Sequence, residues 1–287
     1  MDMPETTTID SMWDFGDPAA SEARFRDEID MLAPDREARR LELLTQIARA
    51  LGLQRRFDEA HGVLDGVVDA LEDAPGVVRV RCLIERGRVH NSAGSPERSI
   101  PLFREAWEAA RAEGLDGLAV DAAHMAAIVE GGDAADAWHR AALDLADRSA
   151  DPTARRWRAS LWNNIGWTHF ERGRHQDALK CFERAQTLRR EEGDPKKIAV
   201  ARWCVGKGLR AVGRAEEALS VQRQIFDPDS DPGYGEEEIG ECLLALGRKD
   251  EARSHFRAAF DKLSHNESLT EREPKRIERL ARLGGVH

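Results

Sequence analysis

From Leu41 to Phe260, apolar and small residues recur at helical spacing in blocks that resemble one another. The clearest block is Ala159 to Arg189, ASLWNNIGWTHFERGRHQDALKCFERAQTLR. Counted from Ala159 as position 1, Trp162 falls at 4, Ile165 at 7, Gly166 at 8, Ala178 at 20, Phe182 at 24 and Ala185 at 27. Gly233 to Phe260 repeats the pattern with Ile239, Gly240, Leu243, Gly247, Ala252, Phe256 and Ala259. Leu41 to Val68 supplies Leu44, Ile47, Ala48, Leu51, Ala60, Leu64 and Val67. Cys82 to Trp107 supplies Leu83, Gly87, Gly94, Ser99, Phe103 and Ala106. Ala199 to Phe226 keeps Val205, Gly206, Leu209, Gly213 and Ala218 but puts Gln222 at 24, which predicts unconventional packing of its second helix. Leu118 to Leu145 keeps Ala134, Trp138 and Ala141 behind a shortened turn. Position 20 thus falls at residues 60, 99, 134, 178, 218 and 252. Helical amphipathicity alone explains one such block but not six in tandem.

This spacing resembles the tetratricopeptide repeat, a helix-turn-helix of about 34 residues. In that family small residues at 8, 20 and 27 let paired helices approach, and large ones at 4, 7, 11 and 24 fill the space between them. His169 stands at 11 of the clearest block in place of an aromatic. The resemblance implies an all-α, right-handed superhelix, a solenoid of about six helix pairs over residues 35–266. Such arrays need capping elements because no repeat buries its apolar face alone. Pro18 to Leu32, with Phe25, Ile29 and Leu32 on one face, is the expected N-terminal cap (17–33), preceded by an acidic tail (1–16). Pro274 to Leu283, with Ile277, Leu280 and Leu283, is the expected C-terminal cap within 271–287. Asp17-Pro18, Ser95-Pro96, Asp151-Pro152 and Asp194-Pro195 each read as an N-cap before a first-turn proline. Pro101 predicts a kink inside its helix.

Composition agrees with helices. One Tyr and 6% aromatics accompany 33% charged residues, and 41% hydrophobic residues suffice for a continuous core. The formal net charge of −10 argues against nucleic acid or an anionic membrane as partner. Cys82, Cys181, Cys204 and Cys242 form no metal-type cluster and read as buried thiols. The acidic N-terminus lacks the pattern of a signal peptide, and no apolar run is long enough to span a membrane. A cytoplasmic protein is expected.

No HExxH, GxSxG, Walker A or GxGxxG motif occurs, so no catalytic residues, cofactor or metal are assigned. Asp227, Asp229, Asp231 and Glu238 imitate the spacing of a calcium loop, but Pro232 stands where that loop needs glycine, and a solvated inter-repeat loop is the expected reading. Among the nine histidines, only His124, three residues after Asp121, stands out.

The resemblance further implies a concave surface lined by the first helices, exposing mainly positions 2, 5, 9, 12 and 13, with 6 contributing. Those positions hold Arg49, Arg81, Arg88 and Asn91 early, Asn163, Asn164 and Trp167 centrally, then Trp203, Lys207 and Arg210, and finally Glu237, Glu238 and Glu241. An asparagine amide donates to and accepts from an extended peptide backbone, and tryptophan is enriched at interaction hot spots. A ligand along this groove is expected to present acidic residues to the arginines, an apolar anchor to Trp167 and Trp203, and basic character near Glu237 and Glu241. The set of residues with which some family members hold a C-terminal carboxylate is missing, since position 5 is Thr45 and Ile84 in the first two repeats. Met12, Trp13 and Phe15, among Asp10, Asp14 and Asp17, read either as part of the cap or as a segment occupying a groove in its own or a neighbouring chain.

The expected function is a non-enzymatic scaffold or adaptor binding an extended peptide or a partner's helix in the concave groove. The alternatives are a regulator whose superhelix responds to a peptide and, third, an enzyme without a known motif.

Overall fold

Helices start at the prolines of Asp17-Pro18, Asp151-Pro152, Asp194-Pro195 and Glu273-Pro274. The computed structural model describes residues 8–286, so positions 1–7 of the acidic tail lie outside the described residues. Its helices are α1 (Pro18–Met31), α2 (Glu37–Leu53), α3 (Phe57–Val68), α4 (Gly76–Ser92), α5 (Pro96–Ala112), α6 (Asp116–Glu130), α7 (Gly132–Arg148), α8 (Pro152–Arg155), α9 (Arg158–Glu171), α10 (His175–Glu192), α11 (Pro195–Ala211), α12 (Ala215–Ile225), α13 (Tyr234–Ala245), α14 (Lys249–Leu263), α15 (Glu267–Arg272) and α16 (Pro274–Gly284). Asp17, Asp151 and Asp194 cap α1, α8 and α11 by accepting from backbone N–H groups. The Ser95 side chain makes no capping bond although α5 begins at Pro96, and α5 runs on through Pro101. Among the described residues there is no strand, and no helix is long and apolar enough to cross a membrane.

Six pairs match the six blocks: α2/α3, α4/α5, α6/α7, α9/α10, α11/α12 and α13/α14. Four of the turns within pairs use a left-handed glycine at position 15, namely Gly94, Gly173, Gly213 and Gly247. In the α2/α3 turn Arg55 adopts the same conformation at φ 63°, a region that favours glycine because a Cβ crowds the following carbonyl.

Three of the pairs, α4/α5, α9/α10 and α13/α14, are held by glycine at 8 facing an aromatic ring at 24. A Cβ on Gly87 would stand 2.6 Å from the Phe103 ring, one on Gly166 2.5 Å from Phe182, and one on Gly240 3.0 Å from Phe256. Gly166→Leu is therefore expected to destabilise the protein by about 1 to 3 kcal/mol through overpacking. Adding Phe182→Leu should recover part of that loss in a denaturant titration, whereas an unchanged melting curve would mean that the two residues do not meet.

The chain divides into two compact units, one through Arg158 and one from Ala159. In the first, Phe25 of α1 joins Leu43, Ile47 and Leu51 of α2, Leu64 of α3 and Val78 of α4, and the short 3-10 turn Ile9–Met12 adds Ile9 and Met12. In the second, Phe182, Leu209, Ile239, Phe256 and Leu263 are closed off by Leu269 of α15 and Leu280 of α16. Both expected caps thus contribute core residues. Trp162, expected in the core from position 4, is half-buried instead. All four cysteines are free and buried. Burial pushes the thiols of Cys204 and Cys242 up to about 12, which keeps them neutral.

Candidate functional site

In the first unit the faces of α2, α4 and α6 carry charges that neutralise one another. Arg88 donates to Glu85 at 2.6 Å and to Asp121 of α6 at 2.5 Å. Arg49 stands 3.8 Å from the same Glu85, and Arg81 donates to Glu42 of α2 at 3.1 Å. Glu85 is 3% exposed and Asp121 8%. Burial opposes the charge on Arg88, but Asp121 and Glu85 outweigh it and raise its pKa. Burial likewise opposes the Asp121 carboxylate, and Arg88 and Arg49 hold it below the usual range all the same. Burial and the repulsion of Arg88 lower the pKa of Arg49. The three arginines read as an acid-binding surface therefore already hold carboxylates of their own chain. Asn91 lies half-buried in the last turn of α4.

A segment of the chain itself covers the first of these positions. Trp13 donates its indole N–H to Gln46 of α2 at 3.1 Å, stacks on Phe15 with ring centroids 4.9 Å apart, and meets Phe25 edge-on. The Arg49 guanidinium lies 5.3 Å from the Trp13 ring centroid and 5.2 Å from that of Phe15. Arg24 donates to the backbone carbonyl of Met12 at 2.8 Å. Met12 thus enters the core, as the cap reading expects, and Trp13 and Phe15 lie beside Arg49 of α2.

His124 of α6 is packed 5.0 Å from the Trp157 ring. Burial pushes its imidazole down to about 4; Asp121 opposes that shift, and Arg88 and His139 add to it. An unfolded histidine binds a proton near pH 6.5, while His124 in the folded chain remains neutral until about pH 4. Between those values the unfolded state holds the extra proton, so stability falls as pH drops. We expect this histidine to account for a loss on the order of 2 kcal/mol between pH 7 and pH 4.5. Urea titrations at the two pH values should show a smaller difference for His124→Gln than for the parent protein.

In the second unit three successive first helices bring aromatic rings and charge together. Lys207 of α11 places its Nζ 5.0 Å from the Trp203 ring centroid and 5.7 Å from that of Trp167 on α9, and the two indoles are 6.0 Å apart. Trp167 also meets Phe182 edge-on at 5.3 Å, which fixes the ring against the core. Glu238 of α13, 2% exposed, binds Arg210 through both oxygens at 2.5 and 3.2 Å and lies 3.7 Å from Lys207. Asn163 and Asn164 are half-buried on α9. Glu237 receives Arg276 at 2.9 and 3.1 Å, and Glu241 receives Arg279, both arginines coming from α16. The expected acidic end of the groove is therefore occupied by the C-terminal cap.

Asp227, Asp229, Asp231 and Glu238 do not converge. Asp231 caps α13 by accepting from Gly233, Gly235 and Glu236, Asp227 binds within its own loop, and Glu238 is held by Arg210. Among the described residues no cluster of metal-ligating side chains occurs. The sequence reading missed Glu85, Asp121 and Gln46 as members of the first-helix face. The signal for Glu85 was its position 6, equivalent to that of Asn164; Gln46 shares that position, and Asp121 lies in the first helix of the pair whose shortened turn blurs the register.

Residues 118–191 match the tetratricopeptide repeat family profile. No curated protein sequence matches the chain. Among solved structures the chain is similar to the apo form of the quorum sensor NprR from B. thuringiensis, with a TM-score of 0.65 and 16% identity over 92% of this chain and 74% of that one. NprR in complex with its cognate peptide NprX gives 0.54 and 15% over 99% and 85%. BtubC from P. vanneervenii gives 0.59 and 15% over 77% and 90%. At such identities the likeness is one of fold.

Proposed function

We propose that this chain, with the tetratricopeptide-repeat fold and a match to that family over residues 118–191, is a non-enzymatic scaffold whose second unit binds an extended peptide segment of a partner along α9, α11 and α13. The observation that carries this reading is the platform of Trp167, Trp203 and Lys207. Two half-buried indoles on neighbouring first helices offer a large apolar contact at little conformational cost, the pattern of an interaction hot spot. Lys207 is held between them and Glu238, so the platform is preorganised. Asn163 and Asn164, one turn before Trp167 on α9, supply amides suited to a peptide backbone. NprR, which shares the fold, takes a cognate peptide.

The charge pairs refine the ligand. Arg49, Arg81, Arg88, Glu237 and Glu241 are already paired within the chain, so the anchor on the tryptophans, rather than charge alignment, is to dominate affinity. Panning a random peptide library on the protein should enrich sequences with a large apolar residue. Trp167→Ala should weaken the selected peptides by about 2 kcal/mol, mainly through faster dissociation. Equal binding to parent and variant would place the partner elsewhere and end this reading.

A further inference from the structure

The α11/α12 pair breaks the packing rule of the other strong repeats. Where they seat phenylalanine on the position-8 glycine, Gln222 lies on Gly206, its Nε2 2.4 Å from where a Cβ would stand. Beside it, between the start of α11, the end of α12 and the start of α13, is a cavity of about 570 Å³. This is within the range of small-ligand pockets, roughly 300 to 1,000 Å³. Its wall is mainly apolar, built from Val200, Trp203, Ile225, Phe226, Pro232 and Tyr234. Val200, 61% exposed, marks the mouth. Asp227 and Asp231 border the cavity, but their carboxylates are engaged by the backbone and the Ser230 hydroxyl of their own loop.

Two polar atoms in this wall are shielded from water and lack a hydrogen-bond partner: the indole N–H of Trp203 and the Oε1 of Gln222. Gln222 itself is 1% exposed, and its Nε2 donates to the Trp203 carbonyl at 3.1 Å, which fixes which end of the amide is unpaired. An unsatisfied buried amide oxygen is destabilising, and a phenylalanine in the same seat would leave none. One donor and one acceptor on residues that line an apolar cavity are the complement of the carbonyl oxygen and N–H of a peptide amide next to a large apolar side chain.

We propose that this cavity is a binding site for one large apolar residue of the bound peptide, an inference that rests on the peptide-binding reading above. The side chain enters past Val200, and as the Trp203 ring and the Gln222 amide turn toward the cavity the adjoining carbonyl accepts from the indole N–H and the adjoining N–H donates to the Gln222 Oε1. Trp203 belongs both to this wall and to the platform with Trp167 and Lys207, so the two share one ring.

The test uses the full chain and the probe N-acetyl-phenylalanine methylamide, with toluene as the probe lacking an amide. Binding is followed by the indole N–H resonance of Trp203, assigned by its loss in Trp203→Phe. The methylamide is expected to shift that resonance saturably, and toluene to leave it in place. Gln222→Phe, which withdraws the amide, and Ala199→Trp, which fills the cavity from a half-buried position, should each weaken the methylamide at least tenfold. Ile128→Ser, at an exposed position of α6 in the first unit, should change it less than twofold. Saturable binding abolished by both cavity variants supports the site. No shift at millimolar probe, or equal binding to Gln222→Phe and Ala199→Trp with melting curves intact, overturns it. Library-selected peptides separate the two readings. If Trp167→Ala weakens them but neither cavity variant does, the platform stands and the cavity assignment fails. If no peptide is selected while the methylamide binds as described, the extended-peptide reading fails and the cavity remains as a site for a free apolar amide.

Discussion

Arg88→Met should lower the stability of the unit through Arg158 by about 3 to 5 kcal/mol, the usual consequence of removing one partner from a buried ion pair. The arginine is the bridge between Glu85 and Asp121, and without it two nearly inaccessible carboxylates face each other with only Arg49 nearby. Urea unfolding at pH 7 measures the loss. The deficit should shrink toward pH 4, because Arg88 is what holds the Asp121 pKa down. In its absence burial raises that pKa, and protonation then removes a charge the variant cannot compensate. Adding Asp121→Asn should recover part of the stability at pH 7. A variant as stable as the parent would show that the network is open to solvent.

Removing residues 1–15 should also have a large effect, of two kinds. Ile9 and Met12 leave the core of the first unit, at about 1.5 to 3 kcal/mol for each buried side chain. Trp13 and Phe15 leave Arg49 and Gln46, uncovering the start of the first-helix face. A synthetic peptide spanning residues 8–16, added to the truncated protein, is expected to restore part of the melting temperature, and the same peptide with Trp13→Ala to restore less. Truncation that leaves both stability and ligand affinity untouched would mean the segment neither caps nor covers.

Small and large residues at fixed spacing carried most of the fold. Gly87 with Phe103, Gly166 with Phe182 and Gly240 with Phe256 are legible in the sequence because each contact lies within one repeat, at a separation of sixteen residues. The proline-led helix starts are legible for a similar local reason. The site was less so. Spacing places Arg88 on the first-helix face correctly, yet it says nothing of Asp121, thirty-three residues away on the next first helix, which claims its charge. Arg276 and Arg279 reach Glu237 and Glu241 from a helix outside the repeats, where no periodicity points. Gln222 was visible as an exception at position 24. The cavity beside it was not, because its far wall comes from the irregular loop before α13.

The way α16 docks also bears on engineering by repeat insertion. It lies on α14 so closely that a Cβ on Gly284 would stand 2.8 Å from the Arg257 backbone, and its arginines grip α13. A consensus helix pair grafted after α14 would have to displace this helix and would strand two glutamates without counter-ions. Arrays lengthened by duplicating an internal pair such as α9/α10, with α13 to α16 kept as a block, should express as folded protein where grafts onto α14 aggregate.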